Sequence, residues 1–246
     1  MKYFLIPTYN ESENIENLSR ELHHYLNDQD SFFVFSDDGS SDDTAGLILK
    51  YFGEQISIVL KSRTNYGPGH AFNEGFKYIL EKAADSDIII TMEADCTSDL
   101  KILPDMIVIS GLGYDLVLAS VYSQGGGFEE TTLIKKLLSS IANLLFRFLF
   151  DLKVSTLSSF YRVYRVKKLK ETKKVWNELI EEYGFICMLE ILLKLLECKA
   201  RTIEVPMVLA SSKRVGKSKM KLIKTAVSYL RFLVKYKFHA KRNSAA

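Results

Sequence analysis

Short apolar runs alternate with amphipathic stretches over the first 120 residues. A chain patterned this way is directed to an open α/β sheet, whose βα turns carry function at the strands' carboxyl ends. The runs predict strands at residues 3–6, 32–35, 56–60, 88–92 and 116–119. Between them Ile15, Leu18, Leu22 and Leu26 recur at helical spacing, as do Ala71, Phe72, Gly75, Ile79 and Leu80. No repeat or low-complexity linker interrupts the 246 residues. Their 47% hydrophobic and 26% charged content excludes a disordered tail protein, a collagen and a disulfide-stapled miniprotein. Residues 1–220 read as one continuous domain and residues 221–246 as a basic amphipathic helix and tail.

The longest uncharged stretch, residues 116–128, is broken by Gly125, Gly126 and Gly127, so no membrane-spanning helix is expected. The opening MKYFLIPTY reaches Pro7 too soon for the apolar core of a signal peptide. Cys96, Cys187 and Cys198 lie far apart, in no CxxC spacing, which suggests neither a disulfide framework nor a zinc site. The expected location is cytoplasmic.

The net charge of +3 conceals a division. From Val205 onward there are 11 Lys and Arg and no Asp or Glu, which leaves −8 on the residues before it. A segregated positive block meets something anionic: nucleic acid, an anionic bilayer surface or a phosphorylated substrate. Two segments favour the bilayer. Residues 133–152 gather Lys136, Ser140, Asn143, Arg147 and Asp151 on one stripe beside a wide apolar arc. Residues 218–238 place Lys221, Lys224, Ser228, Arg231 and Lys235 opposite Leu222, Ala226, Tyr229 and Leu233. Cationic faces backed by leucine and aromatic faces suit helices lying in a membrane interface, although core-packed surface helices share the pattern.

Four βα turns hold the chemistry. The first strand ends in IPTYNESENI, with Pro7, Tyr9, Asn10 and Glu11 ahead of a helix. The second runs into SDDGSSDDT, where Asp37 and Asp38 could accept hydrogen bonds from a base or ribose, or could simply form a turn and a helix cap. The third, SRTNYGPGHAFNEG, carries Arg63, Asn65, Gly67 and Gly69, but its spacing to Gly75 departs from the dinucleotide pattern GxGxxG. The fourth presents Glu93 and Asp95, an acidic pair able to offer oxygen ligands to a hard divalent cation, which in turn bridges phosphate oxygens.

TYNE, DDGS, NxGxGxA and ExD in this order resemble a family 2 glycosyltransferase of the GT-A fold, and within it the polyprenyl-phosphate branch of dolichol-phosphate mannose synthases. ASVYSQGGG, SSFYRVYR, Glu190 in FICMLEILLK and IEVPMVLASSKRVGKSKM extend the resemblance to Met220. It implies a mostly parallel mixed sheet flanked by helices, with the two amphipathic helices added. It also implies an inverting, metal-dependent hexosyltransferase that takes a sugar from a GDP- or UDP-linked donor to a polyprenyl phosphate. Pro7, Tyr9, Glu11, Asp37 and Asp38, with Asn65 and Gly67 of the third turn, would hold the nucleotide. Asp95, with Glu93, would bind Mg²⁺ or Mn²⁺. Arg214, Ser218 and Lys219 would close over phosphates. If the acceptor is a phosphate, Arg162 and Arg165 are candidate anchors for it, since guanidinium forks match phosphate oxygens, although surface pairing with Glu181 or Glu182 would equally account for them.

Departures from the family pattern bear on sugar and acceptor: EAD replaces DAD, Thr97 stands where Gln is frequent, Val121 replaces an Arg, and Phe160 replaces a Gly. Attachment to the membrane is expected to be peripheral or through a membrane-protein partner. A related enzyme acting on a saccharide hydroxyl would need a carboxylate base, for which Glu190 is the late acid that a motif singles out. A nucleic-acid-binding role lacks a recognition motif, and a dehydrogenase lacks its fingerprint.

Overall fold

The computed structural model describes residues 1–26, 30–129, 143–144, 146–150, 152–216, 228–229, 231–232 and 236. In chain order the elements are β1 (Lys2–Thr8), α1 (Ser12–Tyr25), β2 (Ser31–Asp37), α2 (Thr44–Phe52), β3 (Ser57–Lys61), α3 (Pro68–Lys82), β4 (Ile88–Thr91), α4 (Leu103–Gly111), β5 (Leu116–Ser120) and β6 (Gly127–Glu129). They continue with β7 (Arg162–Arg165), α5 (Val166–Trp176), α6 (Cys187–Glu197), β8 (Thr202–Pro206) and β9 (Val208–Ala210). Seven strands form one sheet in the order β3-β2-β1-β4-β7-β5-β8, and β6 pairs with β9 apart from it. All pairings in the large sheet are parallel except those of β7, which runs antiparallel between β4 and β5.

Central strands of such a sheet are covered on both faces, which is why they read as unbroken apolar runs. On β1, Leu5 joins a core with Phe72, Phe76 and Ile79 of α3 and Leu189 and Leu192 of α6. Its neighbours Phe4 and Ile6 point the other way, into a core with Ile15, Leu18 and Leu22 of α1, Ile48 and Phe52 of α2 and Met106 of α4. The mostly parallel mixed sheet and its flanking helices are as expected, and β1 to β5 fall where the apolar runs predicted them.

Most of residues 218–238, and residues 133–142, lie outside the described residues. Where the two amphipathic segments are described, five of their six aromatic rings turn inward, Phe148 being the exception. Phe146 and Phe232 are buried in the α3–α6 core, and Phe150, Tyr229 and Tyr236 pack against it. Phe146 meets Tyr229 with ring centroids 4.9 Å apart, and Phe150 meets Tyr236 at 5.7 Å. Of the first segment's polar stripe only Asn143 and Arg147 are described, and both are half-buried. Asn143 donates to the Ser155 carbonyl and Arg147 Nε is buried, while Leu144 and Phe148, four residues apart, stand 64% and 83% exposed. Among the described residues no helix is long and apolar enough to cross a membrane.

Candidate active site

Because β1, β2, β3 and β4 run parallel, their carboxyl ends share one edge of the sheet, and the four turns that follow them meet there. The first two are stitched together by groups that each would otherwise leave unpaired. Asn10, at a φ of 51° that Asn tolerates better than most residues, donates its N–H to Ser40 Oγ at 2.9 Å and accepts from Ser41 N at 2.8 Å through Oδ1. Glu11 N donates to Thr44 Oγ1 at 2.8 Å, and Ser12 N to Asp42 Oδ2 at 3.1 Å. Pro7, Tyr9 and Glu11 are left half-buried along this seam.

Asp37 is fully buried, and its Oδ1 accepts from both the N–H and the hydroxyl of Ser40. Its Oδ2, and Oγ1 of its register partner Thr8, have no hydrogen-bond partner among the described residues. These are unspent polar atoms at the place where a nucleoside's hydroxyl and amide edges were expected. Asp38 is committed to the third turn, accepting from Tyr66 N at 3.1 Å and Gly67 N at 2.6 Å, with His70 Nδ1 at 3.5 Å. Burial pushes its carboxyl above the ordinary range, against the opposing pull of those N–H groups and of His70.

The glycines of the third turn have a reason that the sequence does not disclose. A Cβ on Gly67 would sit 2.5 Å from the Tyr183 carbonyl oxygen, at a φ of 115°, and one on Gly69 would strike the carbonyl of Glu182. Gly69 N donates to that Tyr183 oxygen at 2.8 Å. Gly67 and Gly69 therefore admit the backbone of residues 182–184, while Asn65 remains exposed at the turn's tip. Glu190 fixes that segment from below. Its carboxylate accepts from Glu181 N and Glu182 N and lies 2.8 Å from Lys194 Nζ, which donates onward to the Glu178 carbonyl. With its side chain 2% exposed and so engaged, Glu190 is a fastening of the turn and not an available base.

At the end of β4 the two acids differ in kind. Glu93 accepts from Ser98 Oγ at 2.7 Å and Phe160 N at 3.4 Å, and burial followed by the charge of Asp95 pushes its carboxyl up. Asp95 Oδ1 accepts from Thr97 N and Thr97 Oγ1, the latter at 2.6 Å, so Thr97 orients this carboxylate. Asp95 Oδ2 meets a cation already present in the chain: Arg214 Nε at 2.6 Å, with Nη2 closing the same contact. No group of three or more His, Cys, Asp or Glu among the described residues converges to enclose a metal. A hard carboxylate, oriented on one oxygen and facing a cationic stand-in on the other, fits a divalent ion that takes its remaining ligands from phosphate and water.

Arg162, expected at the acceptor, is corrected by its surroundings. It is fully buried, and its guanidinium donates to the carbonyls of Ser159, Met188 and Leu157 at 2.8, 2.9 and 2.8 Å. It organises the 157–160 loop from inside, since carbonyls turned inward there need donors. Glu204 does the same from β8, accepting from Ser155 N and Thr156 N at 2.7 Å each. Ser218 and Lys219 lie outside the described residues. Sequence reasoning missed Asn14, a buried α1 residue whose amide holds both backbone groups of Val215, and gave Glu204 no role although its motif was in view.

The family profile described as Glycosyl transferase family 2 matches residues 3–173. A dolichol-phosphate mannosyltransferase from Pyrococcus furiosus is 28% identical over 93% of this chain, and the chain spans 61% of that relative's length. An undecaprenyl-phosphate mannosyltransferase from Micrococcus luteus is 28% identical over 88% of this chain and 86% of its own. Among solved structures, glucosyl-3-phosphoglycerate synthase from Mycobacterium tuberculosis, in complex with Mn²⁺, uridine diphosphate and glucosyl-3-phosphoglycerate, superimposes with a TM-score of 0.64. That match covers 92% of this chain and 75% of the other at 15% identity, a likeness of fold alone. A profile spanning most of the chain and the turn order TYNE, DDGS, NxGxGxA, ExD on adjacent parallel strands agree: the chain belongs to glycosyl transferase family 2.

Proposed function

We propose that the chain moves a hexosyl group, with inversion, from a UDP- or GDP-linked donor to a polyprenyl phosphate at the cytoplasmic face of a membrane. The nucleoside would lie along Pro7, Tyr9 and Glu11, with Asp37 and the Asp38-held turn at Asn65 and Gly67 closing its other side. Asp95, backed by Glu93, would hold Mg²⁺ or Mn²⁺, as the Mn²⁺ and uridine diphosphate of the mycobacterial structure suggest. Such an ion, bound with the donor, neutralises charge that grows on the departing diphosphate. Arg214 supplies a guanidinium suited to the same oxygens, with Ser218 and Lys219 beyond it in sequence.

The observation that carries the choice of acceptor is the state of Glu190. A saccharide hydroxyl must lose a proton to a base, whereas a phosphate oxygen is already anionic near neutral pH and needs none. Glu190 is spent on two backbone N–H groups and Lys194, and the relatives named above act, by their names, on polyprenyl-type phosphates. Exposed Leu144 and Phe148 provide an apolar foothold for reaching a lipid-borne phosphate. The test is transfer of radiolabelled sugar from UDP- and GDP-sugars, with Mn²⁺, to polyprenyl phosphate and to free saccharides in parallel. Product on the lipid phosphate alone is expected, and product on saccharides alone overturns the reading.

A further inference from the structure

The strand-to-tail segment 211–216 is strapped across the site by three attachments of different chemistry. Lys213 Nζ lies 2.8 Å from Glu21 on α1. The Asn14 side chain grips the Val215 peptide on both sides, accepting from its N–H at 3.1 Å and donating to its carbonyl at 3.3 Å, as a neighbouring strand would. The other amide hydrogen of Asn14 goes to Glu11 at 2.7 Å, so this buried side chain is fixed before it touches the strap. One residue from the grip, Arg214 reaches Asp95 Oδ2. The strap thus holds the Arg214 guanidinium against the acid turn.

Resting on the function proposed above, we propose that Asn14 is a positioning residue that seats Arg214 on Asp95 as a resident counter-cation, and that donor binding exchanges it. With Arg214 in place, Asp95 Oδ2 is occupied and a divalent ion entering alone must displace a charge-assisted contact. A nucleoside diphosphate offers the guanidinium better-matched oxygens. Arg214 then leaves Asp95 for the phosphates and frees the carboxylate oxygen for the ion that the same diphosphate brings. Metal and nucleotide therefore bind with positive coupling, and by linkage each raises the other's affinity by the same factor. The strap thereby weakens metal binding in the absence of the diphosphate.

The test titrates Mn²⁺, followed by electron paramagnetic resonance of the free ion, into the full chain with and without UDP or GDP. In the wild type Mn²⁺ alone should bind weakly and a nucleoside diphosphate should tighten it. Arg214→Gln should bind Mn²⁺ alone about tenfold more tightly, the low end for a lost charge-assisted hydrogen bond. It should also bind the diphosphate more weakly and lose most of the coupling, whereas Arg214→Lys should keep Mn²⁺ alone weak. Asn14→Ala should shift Mn²⁺ alone in the direction of Arg214→Gln although Arg214 is intact. Val215→Pro removes the same N–H from the exposed strap, and Arg214 already has the extended backbone that precedes proline (φ −66°, ψ 124°). It decides that limb if Asn14→Ala does not fold. Mn²⁺ affinity unchanged in Arg214→Gln, with coupling intact, overturns the exchange and leaves the proposed function standing. Absence of nucleotide-dependent Mn²⁺ binding in every protein overturns both.

Discussion

Glu190 and Lys194, one helical turn apart on α6, meet at 2.8 Å with side chains 2% and 3% exposed. The pair sits beneath the 181–184 segment that the third turn's glycines receive, so a contact on α6 supports the turn that Asp38 grips. Breaking a buried pair leaves its partner charged and uncompensated. Glu190→Gln should lower stability by about 3 kcal/mol, read as a lower urea midpoint with an unchanged slope. Adding Lys194→Met should restore most of it. A folded Glu190→Gln enzyme that lost the acidic limb of its pH–rate profile would return Glu190 to the role of base.

The assignment of Asp95 rests on one oriented carboxylate, so removing its charge while keeping its volume is the direct probe. Asp95→Asn should fold, since Thr97 can still bond the remaining oxygen, yet turnover with Mn²⁺ or Mg²⁺ should fall by about 100-fold or more. Glu93→Gln should cost less, because its oxygens are engaged with Ser98 and Phe160. Ordinary turnover in Asp95→Asn would end the assignment.

Gly69→Ala tests whether the glycines serve chain approach. The added methyl meets the Glu182 carbonyl, backbone that cannot swing aside, so the 182–184 segment must lift and loosen the turn that Asp38 holds. A loss of about 1–3 kcal/mol should accompany weaker nucleotide binding in calorimetry. Weaker binding with unchanged thermal stability would instead favour direct contact between the glycine turn and the nucleotide.

Asp42 links the first two turns, accepting from Ser12 N at 3.1 Å and from Thr44 N at 3.1 Å. Partial burial raises its pKa, but the hydrogen bonds of Thr44 and Ser12 outweigh that and hold the carboxyl below its ordinary value. A depressed folded-state pKa contributes stability that is present above the unfolded value, about 3.9, and disappears as pH falls through the folded one. Asp42→Asn should therefore be less stable than wild type at pH 7. The gap should close as unfolding is followed from pH 5 downward through the lowered pKa. A gap independent of pH would show that the hydrogen bonds, not the charge, carry the effect.

The parallel half of the fold was legible because β1, β2, β4 and β5 are largely buried on both faces and advertise it as apolar runs, a pattern that the half-buried edge strand β3 still follows. β7 and β8 were not: RVYR hides a fully buried arginine in a strand, and TIEVP ends in proline and spends its Glu204 on a loop. Arg162 looked like a surface anchor because sequence shows a guanidinium but not the three carbonyls that surround it. The acids of the site were legible as types at strand ends. Their partners were not, because Asn14 and Val215 are 201 positions apart. The helical stripe at Asn143 and Arg147 was visible, but periodicity gives two faces without saying which is inside.

That last ambiguity sets the membrane prediction. With Asn143 turned to Ser155 and Phe146 in the core, Leu144 and Phe148 stand exposed among the described residues of this segment. Apolar side chains that enter an interface contribute a term that salt does not screen, whereas each nearby Lys or Arg adds about 1 kcal/mol on an anionic leaflet, a term that salt does screen. The protein should sediment with anionic vesicles, bind neutral ones less, and release only in part at high salt. Leu144→Gln with Phe148→Gln should abolish the salt-resistant fraction. Replacing Lys221, Lys224, Arg231 and Lys235 with Gln should abolish the salt-sensitive one, so the two sets of variants fail under opposite conditions. If full removal of Leu144 and Phe148 changes nothing, these residues do not touch lipid. If the protein ignores anionic vesicles altogether and no membrane protein recruits it, a lipid-borne phosphate is out of its reach, and a soluble hydroxyl acceptor takes its place.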